Sequence, residues 1–229
     1  MGKSRLACGI THNLMRFNWH VIAFDTCGNY KDISDIPHRI KVYPKSEKLP
    51  NLPIDTSVVF DLSLMRPSEQ MWFVNYCLES LWDFKVMSQS TQWHLILLEE
   101  MQLYSRSVRG FCQQNLLRIM SSGRNQKIRV LGIGVDLALI DPAFIRLCQQ
   151  RYHGRLGIEE NAKRKFKSYY GKDYCRIACE GLDVGDFIYV NGSKIKLISV
   201  PLFEAKTTPQ PLTIKTPTLR ERIKNALSS

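Results

Sequence analysis

The chain has 229 residues, 44% of them hydrophobic and 23% charged, with seven cysteines and a formal net charge of +11. This length and balance suit one sizeable α/β domain and exclude a disordered chain. The longest apolar runs, such as 95–98 and 130–135, are too short to cross a bilayer. No secretory leader opens the sequence, and an odd, unpatterned set of cysteines fits reduced thiols, so a cytoplasmic protein without a membrane partner is expected.

Leu6, Ile10, Leu14 and Phe17 recur at helical spacing and predict a helix from Gly2 to about Phe17. A buried strand follows at His20–Phe24, ending in Asp25 and a turn at Gly28-Asn29. A Pro- and Lys-rich connection holds a short strand near Ile40–Tyr43, and Ser57–Asp61 is the next strand. Pro67 opens a long helix reaching about Phe84, and Trp93–Leu98 is a third apolar strand closed by Glu99 and Glu100. Ser107–Ser122 reads as a helix ended by Gly123, and Ile128–Val135 as a central strand. Beyond it come a short helix at Pro142–Cys148, a strand at Gln150–Leu156 and a basic helix at Glu159–Tyr170. Phe187–Val190 and Lys194–Val200 form a hairpin whose Asn191-Gly192 pair suits a type I′ turn. Strands alternating with helices predict a mostly parallel sheet flanked by helices, with the hairpin adding antiparallel strands at one edge. The domain is read as 1–203, and 204–229 as a flexible basic tail with a short helix at Thr218–Leu227.

Gly2-Lys3-Ser4 at a helix start matches the second half of a P-loop. There, backbone N–H groups meet phosphate oxygens, the Lys3 ammonium reaches the β- and γ-phosphates, and the Ser4 hydroxyl holds Mg²⁺; Arg5 continues the nucleotide-binding set. The complete motif needs a strand and a first glycine before it, and only Met1 precedes Gly2, so the start is read as misassigned or the chain as a fragment. Glu99 and Glu100 stand at the strand end where α/β sheets bind ligands, as a Walker B pair would. Glu99 then serves the metal and Glu100 orients or deprotonates the attacking water. Two solvated acids at a strand exit would look the same in sequence.

In their order, several segments resemble the HerA/FtsK group of P-loop ATPases, which includes viral genome-packaging motors. Val21–Tyr30 resembles that family's apolar strand and D-x-x-G-E-Y turn, with Asn29 in place of the acid. Val58–Asp61, Gly123–Val135 and the Asp183–Gly192 hairpin resemble later elements, so the likeness spans roughly Gly2–Phe203. The resemblance implies a RecA-like fold lacking its first P-loop strand, ATP and Mg²⁺ as cofactors, and a homo-oligomer built as a hexameric ring that moves DNA. It also implies a trans-acting arginine finger, Arg124 first and Arg129 second, although either could be a solvated cation. Where the family carries a polar sensor, this chain has Val135-Asp136, which makes Asp136 the sensor candidate.

Lys163, Arg164, Lys165 and Lys167 lie on one helix and form the DNA-binding candidate; a subunit contact or a solvated face are the alternatives. The five histidines show no paired ligand spacing. Two other readings stay open: a degenerate, non-hydrolysing module that binds DNA or a partner, and a P-loop ATPase of another branch.

Overall fold

The computed structural model of the chain describes residues 2–28, 34–44, 52–105, 111–201, 203–206 and 210–211. Five strands line up in parallel: β1 (His20–Asp25), β2 (His38–Lys41), β3 (Val58–Asp61), β4 (His94–Leu98) and β5 (Ile128–Gly132). Their order in the sheet is β5-β4-β1-β3-β2. Side chains alternate across a strand, so one set faces each side of the sheet. Ile22, Phe24, Phe60, Ile96 and Leu98 pack with Phe73, Leu78 and Leu81 of α2 (Pro67–Ser88) and with Leu116 and Ile119 of α4 (Phe111–Ser122). Val21, Ala23, Val59, Leu95 and Leu97 face the other way, onto Ala7 and Cys8 of α1 (Lys3–Arg16). Both faces are therefore covered, which is why β1, β3 and β4 read as nearly unbroken apolar runs.

Local chemistry sets the helix limits. Gly2 stands before α1 with φ 109°, and its carbonyl accepts the Leu6 N–H at 2.9 Å. Pro67 opens α2, and the Glu69 carboxylate accepts the Arg66 N–H at 2.8 Å. The helix passes Phe84 and continues to Ser88, where Lys85 is buried and its ammonium donates to the carbonyls of Ser90 and Gln92. Gly123 follows the last residue of α4 in a place only glycine fits, since a Cβ there would stand 2.4 Å from the Ile119 carbonyl oxygen.

Some expectations change. A short helix, α3 (Met101–Ser105), precedes α4, which begins at Phe111; residues 106–110 lie outside the described set. The hairpin strands β7 (Asp186–Asn191) and β8 (Lys194–Ser199) do not extend the parallel sheet. They join β6 (Gln150–His153) in a separate antiparallel sheet, order β6-β7-β8. The reason is a second core: beyond the short α5 (Pro142–Leu147), Ile188 and Val190 bury against Phe166 and Tyr170 of α6 (Glu160–Tyr170) and Ala178 of α7 (Lys172–Glu180), a helix the periodicity does not reveal. Asn191 pairs with Lys194, so the turn residues are Gly192 and Ser193. Only Gly192 has positive φ, at 59°, which fits a type II′ turn and replaces the expected I′.

The part of the tail that is described meets the domain. Phe203 lies against Gly9, the Lys206 N–H donates to Asp35 at 2.6 Å, and Gln210–Pro211 pairs with β2 as the short strand β9. Asn29, Tyr30 and the expected helix at 218–227 fall outside the described residues. No described helix is long and apolar enough to cross a membrane.

Candidate nucleotide site

Three strands end in acids at one edge of the sheet. Register sets Asp25 beside Asp61, and Phe24 beside Leu98, so Glu99 stands level with Asp25 on β1's other side. Asp61 is buried and neutralised: Arg39 pairs with it, and the Ser63 hydroxyl donates to it at 2.6 Å. Asp25 accepts the N–H groups of Cys27 at 3.2 Å and Gly28 at 2.7 Å, folding the chain into a turn that Gly28 completes with φ 76°. The Glu99 carboxyl adjoins that of Asp25. Burial first, and then the adjacent negative charge of Asp25, push the Glu99 carboxyl up to about 8.

The start of α1 faces this edge. The Lys3 ammonium donates to the Gly134 carbonyl at 2.9 Å, just beyond the end of β5. Burial lowers its pKa, while the charges of Glu100 and Asp136 act against that shift, so all three groups share one electrostatic neighbourhood. Ser4 and Cys8 are one turn apart on α1, and Cys8 responds to Glu99: burial, then that carboxyl, push its thiol up to about 12. Cys8 packs in the core with Ala23 and Leu97, so the helix face bearing Ser4 is the one laid on the sheet. Glu100 takes a left-handed conformation, φ 57°, and the Gln102 side-chain amide donates to its carboxylate. Asp136 accepts the Ala138 N–H at 2.7 Å and caps a 3₁₀ turn at Leu137–Leu139.

Other candidates stand elsewhere. Arg5 turns from the phosphate side and donates to the Phe203 carbonyl at 2.9 Å. Arg124 is exposed in the turn between α4 and β5, and Arg129 lies half-buried on β5 with its guanidinium 6.0 Å over the Trp93 ring. Both occupy the end of β5 opposite Lys3 and Glu100. On α6, Lys165 donates to the Ile140 carbonyl at 2.8 Å and Lys163 pairs with Glu160 at 3.1 Å, whereas Arg164 and Lys167 are exposed. Lys165 thus holds the segment after β5. Sequence reasoning left out the Asp25–Glu99 contact and Gln102, whose only signal was a polar residue two places beyond Glu100.

Among the described residues no cluster of three His, Cys, Asp or Glu side chains could hold a metal alone. A Ser4 hydroxyl and a Glu99 carboxyl are nonetheless hard oxygen donors, and Mg²⁺ characteristically takes one or two such groups while keeping waters and substrate phosphates. The buried, proton-retaining Glu99 fits a cation there, because a positive charge would replace its proton.

A covered parallel sheet, acids at its C-terminal edge and a Gly-Lys-Ser helix start facing them define the RecA-like P-loop NTPase fold. Comparison with solved structures agrees. The genome-packaging NTPase B204 of Sulfolobus turreted icosahedral virus 2, solved with ATP-γS, superposes with a TM-score of 0.63 over 88% of this chain and 91% of that one, at 12% identity. Its complex with AMPPCP gives 0.65 over 87% and 94%, at 13% identity. B204 of Sulfolobus turreted icosahedral virus, described as a DNA-packaging ATPase, gives 0.52 over 80% and 98%, at 11% identity. At these identities the likeness is one of fold. No family model matches the chain, and no curated protein matches its sequence.

Proposed function

We propose that the chain is an ATP-driven motor subunit that moves or packages DNA, hydrolysing ATP between neighbouring copies of a hexameric ring in the cytoplasm, that of the host cell if the source is viral. The observation that carries this reading is the meeting of Lys3, Glu99, Glu100 and Asp136 at one sheet edge, in a fold shared with B204. Lys3 would bind the β- and γ-phosphates in place of the Gly134 carbonyl. Ser4 and Glu99 would hold Mg²⁺, which when bound neutralises charge building on the phosphate oxygens. Glu100 would take a proton from water as its oxygen bonds to the γ-phosphorus. The bond from that phosphorus to the β–γ bridging oxygen breaks, its electron pair leaving with ADP. Arg124, in the turn before β5 and at the opposite end of that strand from Lys3, would act on the neighbour's γ-phosphate. The net charge of +11 and the exposed Arg164 and Lys167 support a DNA partner.

The test is Mg²⁺-dependent ATP hydrolysis by the purified full chain. Activity lost in both Lys3→Ala and Glu100→Gln supports the reading, and equal rates in all three proteins would remove it. Calorimetric ATP binding without any turnover would instead mark a non-hydrolysing DNA- or partner-binding module.

A further inference from the structure

Gln102 is buried, 8% exposed, at the floor of the site described above. Its position follows from the backbone. Glu100 adopts φ 57°, a left-handed conformation that is unfavourable for a residue with a Cβ. The turn is pinned on both sides: the Met101 N–H donates to the Ile133 carbonyl at 2.6 Å, and the Leu103 N–H to the Glu100 carbonyl at 2.8 Å. This reversal brings Gln102 back over Glu100, where its amide nitrogen donates to the carboxylate. A carboxylate oxygen accepts, so the nitrogen of Gln102 must face it and the amide oxygen must point away.

That amide oxygen, Oε1, is buried and has no hydrogen-bond partner among the described residues. A buried acceptor left unsatisfied is destabilising, so its retention calls for a ligand. Oε1 lies beside Gly134, 3.7 Å from where a Cβ would stand on that residue. Gly134 is also the residue whose carbonyl holds Lys3. One side-chain amide therefore reaches from Glu100 to the corner where Lys3 sits, with one acceptor left over.

We propose that Gln102 completes the binding site of the attacking water: its N–H holds the Glu100 carboxylate, and its free Oε1 accepts the water hydrogen that Glu100 does not take. With both hydrogens held, a water lone pair is aimed at the γ-phosphorus, and the only proton transferred still goes to Glu100. The inference rests on the ATPase reading and adds a residue to its chemistry.

Steady-state ATP hydrolysis by the full chain tests it. Gln102→Leu removes both polar atoms; Gln102→Glu keeps the length and an acceptor but loses the donor to Glu100. Both are expected to lower kcat at least about tenfold, with KM for ATP within about twofold. Added to Glu100→Gln, the Gln102→Leu change should have almost no further effect, because groups acting on one water fail together. A kcat within twofold of wild type in Gln102→Glu overturns the proposal, as do losses that multiply in the double variant. Failure of the ATPase reading itself shows separately, as undiminished hydrolysis in Lys3→Ala.

Discussion

The Lys3 ammonium donates to the Gly134 carbonyl at 2.9 Å, joining the first turn of α1 to the segment leaving β5. The contact holds the lysine where a phosphate would compete for it. A hydrogen bond from a charged donor contributes about 1.5–3 kcal/mol, and phosphate offers a stronger, charged acceptor. Lys3→Met should therefore weaken ATP binding at least about tenfold by calorimetry, while the melting temperature falls by only a few degrees. Unchanged ATP affinity would show that Lys3 serves only to close α1 onto β5.

Glu99 makes a pH prediction. Its folded pKa is raised to about 8 from an ordinary 4.5, so between those values the folded chain keeps a proton that the unfolded chain releases. Its contribution to stability is fully present below pH 4.5 and is lost as pH rises toward 8. Glu99→Gln removes this slope, and urea midpoints across that window should decline less in the variant than in wild type. Parallel pH profiles would contradict the buried Asp25–Glu99 pair.

Two histidines act with the opposite sign. Burial pushes both His94 and His153 down to about 4 from 6.5. His94 faces Lys85, His20 and the Ile54 and Gln92 carbonyls; His153 faces Arg151, Phe166 and the Tyr170 hydroxyl, 2.9 Å from its Nε2. The unfolded chain binds protons that these sites refuse, so stability falls as pH drops from 6.5 to 4, by at most on the order of 3 kcal/mol for each. His153→Gln should flatten part of that acid loss in thermal melts between pH 4 and 7.

Arg124 is tested by mixing. If its guanidinium acts on the neighbour's γ-phosphate, Arg124→Ala copies added to wild-type chains should depress hydrolysis below the fraction of wild type present. A proportional decline would leave Arg124 as a solvated turn residue. Arg129 should matter less for catalysis, since its guanidinium lies over Trp93.

Much of the frame is legible along the chain. Apolar runs ending in Asp25, Asp61 and Glu99-Glu100 announce parallel strands whose acids share an edge, because parallel strands all point their C-terminal ends the same way. Glycine and proline place most helix limits. The short α3, the helix α7 and the hairpin's pairing with β6 were hidden, because each depends on a surface from elsewhere in the chain. The hairpin is the plainest case: Asn191-Gly192 suggests one turn, yet pairing of Asn191 with Lys194 moves the turn one residue along.

The candidate site divides in the same way. Residue type and order along the chain singled out Lys3, Ser4, Glu99 and Glu100 as the candidate set, since the proposed chemistry needs a helix start and a strand end. Tertiary structure alone decided what surrounds them. Strand register placed Asp25 level with Glu99 and raised its proton affinity; the left-handed Glu100 turned Gln102 back onto its carboxylate; carbonyls after β5 claimed Lys3 and Lys165. Burial and charge proximity are sums over distant segments, and they acquire values only when the sheet assembles.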